Sequence, residues 1–289
     1  MLNKNKKSKC KGLVSTSVLV AFFIGQVVSL SLISNYQHTY SADKLYQDKI
    51  SAIVRVYALT NPEPTAVGSG TGFFISKDGL VITAAHVVYD DNGHPNGHAD
   101  LEDNTCNFIF IKTAESRFYT VKLVRLDLEH DIALLKVSKT LKLRNTKGPI
   151  KNVKFIEGKE VKKDFPTLEI VKVDRPIPGE VVMAIGFPGR FGPFIAMGIV
   201  SSPRPQATAD EEENVTFKDL VATSMLIFPG NSGGPVFNKY GKVVGIATLG
   251  SRQTISFYQR SKYIKRLITS TSKDLIIYKR EPYNKEYDE

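Results

Sequence analysis

Phe228-Pro229-Gly230-Asn231-Ser232-Gly233-Gly234-Pro235 sets one serine in a glycine-rich turn between two apolar runs, Leu220 to Phe228 and Val243 to Ala247. Glycines on both sides let the backbone take conformations that a side chain would forbid. Such a turn can aim the N–H groups of Gly230 and Ser232 at one point, where they would hold the negative oxygen of a tetrahedral intermediate. A hydroxyl beside a preformed anion site is half of the apparatus for nucleophilic acyl transfer. The motif alone is short, and most serines in glycine turns only make the turn, so the reading depends on finding a base and an acid elsewhere.

A serine hydroxyl needs a neutral imidazole to take its proton, and the imidazole needs a carboxylate to fix its tautomer. The chain has five histidines. His86 follows the apolar strand Leu80-Val81-Ile82-Thr83 through two alanines, small residues that leave space for a ring and a substrate. His94 and His98 fall in the polar stretch Asp90 to Asp103, which reads as a loop. His38 follows an N-terminal apolar segment, and His130 directly precedes Asp131. Asp131 opens the run Ile132-Ala133-Leu134-Leu135-Lys136-Val137, where a carboxylate can be desolvated and grip a histidine N–H. Asp127 is the rival acid, in the more polar Arg125-Leu126-Asp127-Leu128-Glu129.

Thr83-Ala84-Ala85-His86, His130-Asp131-Ile132-Ala133-Leu134-Leu135 and Gly230-Asn231-Ser232-Gly233-Gly234-Pro235 resemble the three catalytic blocks of chymotrypsin-fold (trypsin-like) serine proteases, in that family's order and at intervals of 45 and 101 residues. The last block is most similar to the bacterial HtrA/Deg-type branch. Two further stretches resemble that branch: Gly68-Ser69-Gly70-Thr71-Gly72-Phe73-Phe74-Ile75, and Gly186-Phe187-Pro188-Gly189 through Gly198-Ile199-Val200-Ser201. The resemblance covers residues 48–268. It implies an all-β fold of two six-stranded antiparallel barrels with the site in the cleft between them. Ser232 would be the nucleophile, His86 the general base, and Asp131 the acid that orients it. Gly230 and Ser232 would form the oxyanion hole, and Leu226, Thr248, Leu249 and Gly250 would frame the substrate site. Leu226 falls where trypsins place the aspartate that selects Lys and Arg; an apolar residue there would not stabilise a buried cation. The expectation is cleavage after small or medium apolar residues. Asn231 replaces the aspartate that pairs with a new N-terminus in trypsin-like zymogens, so activation by N-terminal cleavage is not expected.

Two competing readings differ in class. One is a latent or inactive protease-fold module that binds or senses. The other is an esterase, against which the absence of a strand-turn-helix elbow counts. No cofactor and no metal site is expected, because no Cys or His cluster has suitable spacing. Protein or peptide substrates are expected. A homotrimer is implied by family resemblance only.

The chain of 289 residues is ordinary in hydrophobic (42%) and charged (24%) content and carries a formal charge of +10. Half of that charge is Lys4, Lys6, Lys7, Lys9 and Lys11; the remainder is scattered, without the basic run interleaved with aromatics that a nucleic-acid site would need. Leu13 to Ile33 is uncharged and, at 1.5 Å per residue, spans roughly 30 Å as a helix, the thickness of a bilayer core. The lysines at residues 1–12 would stay cytoplasmic, placing the folded part outside, in a periplasm or at a cell surface. A cleaved signal peptide is the alternative. Cys10 and Cys106 would then lie on opposite sides of the membrane, excluding a disulfide between them.

Residues 34–47 read as a stalk or a helix leading into the first strand. A first barrel is expected over residues 48–145 and a second over 165–258, separated by a lysine-rich, strand-poor crossover within 138–175. Ser261 to Thr269 has helical spacing of Tyr263, Ile264, Leu267 and Ile268 and reads as a closing helix. Residues 270–289 read as a polar tail, too short for the PDZ domain that many HtrA relatives carry.

Overall fold

The structure is a computed structural model that describes residues 39–59, 67–88, 108–144, 154–161, 164–189, 191–203, 207–209, 215–217, 219–250, 255–269 and 276–278. The apolar segment 13–33, His38, His94, His98, Cys10 and Cys106 lie outside them. Among the described residues no helix is long and apolar enough to cross a membrane.

A helix, α1 (Ala42–Lys49), buries Leu45 and passes through one 3-10 turn into the first strand. Strands β1 (Ile53–Leu59), β2 (Val67–Phe74), β3 (Leu80–Thr83), β4 (Phe108–Thr113), β5 (Phe118–Asp127) and β6 (Ile132–Arg144) follow. A one-turn helix, α2 (Ala85–Val88), comes between β3 and β4. The six strands pair antiparallel in the closed order β1-β2-β3-β6-β5-β4. Registers such as Phe73↔Ile82 and Ile82↔Leu134 set β-branched and aromatic side chains inside, where they fill a pleated surface well.

The second barrel closes as β12-β15-β14-β13-β8-β9, from β8 (Val181–Gly186), β9 (Phe194–Ser202), β12 (Leu220–Thr223), β13 (Pro235–Asn238), β14 (Val243–Gly250) and β15 (Ser256–Arg260). Its interior holds Val182, Ala184, Val200, Val221, Met225, Val236 and Tyr258. Strands β10 (Ala207–Ala209) and β11 (Val215–Phe217) pair with each other. The two barrels expected from the sequence are thus present.

Three stretches differ from expectation. Residues 138–175, expected to be poor in strands, hold the end of β6 and all of β7 (Lys154–Glu160), which pairs with it antiparallel. The lysines that suggested a loop are interspersed on the end of β6 with Leu141 and Leu143: Leu141 packs with Phe110 and Leu143, while Lys139 reaches Glu157 of β7 at 2.7 Å. The strand expected from Val221 to Ile227 stops at Thr223, because side-chain hydroxyls take over its donors. The Met225 N–H donates to Thr223 Oγ1 and the Ile227 N–H to Ser256 Oγ, both at 3.2 Å. The stretch 270–289, expected as a tail, contributes β16 (Ile276–Tyr278) in parallel register with Arg125–Asp127 of β5. Strand β4 pairs only with residues 118–120 of β5 and leaves that edge open.

Helix α3 (Ser261–Thr269) follows β15 directly and buries Ile264 and Leu267. These two join a cluster containing Phe187, Phe237 and Val243 of the second barrel and Ile53, Leu126 and Leu134 of the first. Arg125 of β5 donates from Nη1 to the carbonyls of Leu267 and Ile268 (3.1 and 3.4 Å). A cation at carbonyls left open by the end of a helix is favourable. The helix therefore ties the two barrels where they meet.

Candidate active site

The strand β3 ends at Thr83, and two alanines carry the chain into α2, so His86 sits on a helical turn rather than on the strand itself. Ala84 and Ala85 are buried, and the His86 side chain is 38% exposed. Asp131 lies across from it at the start of β6, with its side chain 2% exposed. One carboxylate oxygen accepts the His86 ring Nδ1–H at 2.8 Å, the other accepts the His86 backbone N–H at 2.9 Å, and the Asp131 carbonyl accepts the Ala85 N–H at 3.1 Å. Three hydrogen bonds join two adjacent residues of α2 to one acid. With the ring proton on Nδ1, Nε2 is the nitrogen that carries the lone pair and can act as base. Asp131 holds this position in the left-handed region, with φ 53°, which few residues with side chains adopt, Asp being among the more frequent.

Asp127, the rival acid, is engaged elsewhere: it accepts from His130 and from Arg266 and makes none of these contacts with His86.

The Ser232 turn is built against both barrels. Gly230 has φ 99°, and a Cβ there would stand 2.6 Å from the Phe187 carbonyl. Gly233 has φ 82°, and a Cβ there would stand 2.4 Å from Ala84 N, Thr71 O and Thr83 Oγ1, all on the first barrel. Only glycine fits that conformation and that approach. The Thr71 N–H donates to Ser232 O at 2.8 Å, while Thr71 Oγ1 donates to Gly230 O at 2.7 Å and accepts the Phe187 N–H at 2.9 Å. Thr71, fully buried, thus joins both flanks of the serine turn to β2. Ser232 O and Val87, the neighbour of His86, both abut Gly70. The turn and α2 therefore meet over one glycine.

Within the turn the N–H groups of Asn231, Gly233 and Gly234 donate to Phe228 O, Ala247 O and Asn231 O. Those of Gly230 and Ser232 make no hydrogen bond among the described residues. Two undonated N–H groups flanking a serine are what an oxyanion site requires. The Ser232 hydroxyl itself donates to Thr248 O at 3.4 Å, a long bond of the kind common before substrate binds.

The substrate-side residues are dispersed along an open rim. Leu226 is 53% exposed, and Phe228 packs edge-on against Phe194 at 6.2 Å between ring centroids. Thr248 is buried, and Leu249 and Gly250 continue β14 opposite Phe257 and Ser256 of β15. Strand β13 reaches β14 only as far as Ile246, and the turn's Gly233 and Gly234 take over at Ala247. Beyond Ala247 that edge of β14 has no strand partner among the described residues. A cavity of about 180 Å³ between Val173, Arg175, Glu180 and Tyr240 includes none of these residues.

Sequence reading missed Thr71 and Arg55. Thr71 stood inside a quoted motif, but its bridge joins residues 116 and 159 positions away. Arg55 Nη2 donates to Phe187 O and Phe191 O and holds the loop after β8 against β1. No local signal marks either role.

A family model described as "Trypsin-like peptidase domain" matches residues 70–246. A protein of Ectopseudomonas mendocina (strain ymp), described as "Probable periplasmic serine endoprotease DegP-like", is 34% identical over 177 residues, 61% of this chain and 28% of that protein. "Serine protease HTRA1B" of Danio rerio is 31% identical over 206 residues, 71% of this chain and 35% of that protein. The chain thus spans well under half the length of either relative. A solved structure of an HtrA-type protease with a tripeptide superposes with a TM-score of 0.58 at 22% identity, covering 80% of this chain and 63% of the other. That likeness is one of fold.

Proposed function

This chain belongs to the trypsin-like peptidase family, and from that premise we propose that it is a serine endopeptidase of HtrA type working through His86, Asp131 and Ser232. The observation that carries the reading is the pair of N–H groups at Gly230 and Ser232 that make no hydrogen bond among the described residues, in a turn packed against the helix that presents His86.

Ser232 Oγ attacks the scissile carbonyl carbon while His86 Nε2 takes its proton. The carbonyl π electrons move onto oxygen, and the Gly230 and Ser232 N–H groups receive that charge. Asp131 holds the imidazolium through Nδ1–H. Collapse of the intermediate expels the amine, which leaves with the proton from His86. Water then repeats the sequence, with His86 as its base, and releases the acid. An extended substrate would pair with the unpartnered edge of β14 at Thr248, Leu249 and Gly250, as an added strand. The apolar rim at Leu226 would receive a small or medium apolar side chain before the cut.

The periplasmic description of a relative and the uncharged segment 13–33 together support an anchored enzyme facing away from the cytoplasm. Full chain incubated with reduced, unfolded casein should give fragments, and Ser232→Ala should give none. Equal cleavage by both proteins would refute the assignment.

A further inference from the structure

We propose that Arg266 of α3, acting through Asp127, is a positioning residue for the Asp131 carboxylate, so that the closing helix sets the geometry of the His86–Asp131 pair. The inference rests on the catalytic reading above and adds two residues outside it.

The link Asp127-Leu128-Glu129-His130-Asp131 turns the chain from β5 into β6. The acids at its two ends are both buried, at 0% and 1% exposure, and face different partners. Asp131 faces His86. Asp127 accepts the His130 backbone N–H at 3.1 Å on one oxygen, which also lies 3.0 Å from the His130 ring Nδ1, and the Arg266 Nη2–H at 2.5 Å on the other; Arg266 Nη2 is itself 3.1 Å from that Nδ1. The His130 ring, 3% exposed, stacks on Tyr263 with centroids 3.5 Å apart, and Arg266 lies over the same Tyr263 ring at 5.3 Å. An ion pair buried at its Asp127 end and a ring stack therefore fasten the link to one face of α3.

The link needs fastening. Asp131 is held at φ 53°, and a residue with a side chain stays there only when its surroundings over-determine it. The bonds to Ala85 and His86 constrain Asp131 from across the site; Asp127 and its partners constrain the chain that leads into it. Helix α3 is a firm anchor, since Ile264 and Leu267 are buried and Arg125 binds its last carbonyls. Asp127 is suited to the task as an anion. Burial pushes its carboxyl up, but hydrogen bonding and attraction from His130, then from Arg266, outweigh that and hold it below the usual carboxylate range. Ligand atoms of Asp127, Glu129 and His130 lie within 4.8 Å of one another, yet the Arg266 guanidinium already supplies the positive charge there. The cluster serves as a clamp.

Asp127→Asn keeps one oxygen for the His130 N–H but removes the charge and the second oxygen that hold Arg266; the link loosens from α3, and Asp131 swings away from the His86 ring. Displacement of a catalytic group by about 1 Å is worth about 100-fold in rate.

The test is the saturation kinetics of fluorophosphonate labelling on the full chain, in the wild-type and Asp131→Asn backgrounds. Asp127→Asn and Arg266→Gln should each lower the maximal labelling rate about 10- to 100-fold, with the half-saturating probe concentration unchanged. Arg266→Lys should recover most of the rate. In Asp131→Asn the same changes should cost less than about twofold, because the group they position is already disabled. Arg266 is 42% exposed in its side chain, so Arg266→Gln carries the test if Asp127→Asn fails to fold. An unchanged rate in a folded variant, or an equal loss in the Asp131→Asn background, would overturn the inference. An unlabelled wild type would overturn the catalytic reading itself, and this inference with it.

Discussion

Replacing Thr71 with valine keeps the buried volume and removes one hydroxyl. That hydroxyl donates to Gly230 O at 2.7 Å and accepts the Phe187 N–H at 2.9 Å, and Thr71 is fully buried. Valine therefore strands a carbonyl and an N–H away from water. Each unsatisfied buried group costs about 1–3 kcal/mol, so Thr71→Val should lose about 2–6 kcal/mol of stability. The effect on chemistry follows from the same atoms. Gly230 carries one of the two N–H groups assigned to the oxyanion, and its carbonyl would no longer be tethered to β2. Loss of one well-aimed donor is worth about 10²–10³ in rate, and a loosened donor should cost up to about 10². Thr71→Ser keeps the hydroxyl and should retain most of both. Urea unfolding of the three proteins gives the stability, and fluorophosphonate labelling gives the rate. If Thr71→Val unfolds within about 0.5 kcal/mol of wild type, the range of an ordinary surface change, and labels at the same rate, the bridge does not hold the serine turn.

Three further outcomes follow from the site. Gly233→Ala should abolish labelling and cost at least about 1–2 kcal/mol from the left-handed backbone alone, because its methyl would meet backbone atoms of Thr71 and Ala84; a labelled, stable variant would refute the docking of the turn on β2. Acid should destabilise the protein through Asp127 and Asp219. Burial pushes the Asp219 carboxyl up, but hydrogen bonds from Lys262, Tyr263 and Arg260 outweigh that and hold it below the usual carboxylate range, as Asp127 is held. A depressed folded pKa contributes stability above the unfolded pKa and loses it as pH falls through the folded one. Melting temperatures between pH 6 and pH 2.5 should thus fall steeply below about pH 4, and the fall should be shallower in Asp127→Asn. A peptide panel varied only at the residue before the cut should favour small or medium apolar side chains, and preference for Lys or Arg would contradict the apolar rim at Leu226.

The sequence is informative where function compresses chemistry into short blocks. His86, Asp131 and Ser232 each sit in a run whose small or glycine residues have a steric purpose, and the structure brings those runs to one place. Alternation of apolar residues marks most of both barrels for the same local reason. What was not legible depends on distance along the chain. Asp127 reads as a rival acid until Arg266, 139 residues later, is seen against it. Thr71 reads as one more strand threonine until Phe187 and Gly230 arrive beside it. The charged β7 reads as a loop because its pairing with β6, where Glu157 meets Lys139 18 positions back, is not written in the pattern of either stretch. The end of β12 at Thr223 depends on Ser256 from another strand.

The central claim is that Ser232 is an activated nucleophile. The most direct measurement is mass spectrometry of the full chain after fluorophosphonate treatment, beside Ser232→Ala and His86→Ala. The account requires one adduct, mapped to the peptide that contains Ser232, and none in either variant. A folded wild-type protein without adduct, or an adduct that survives Ser232→Ala, would contradict it.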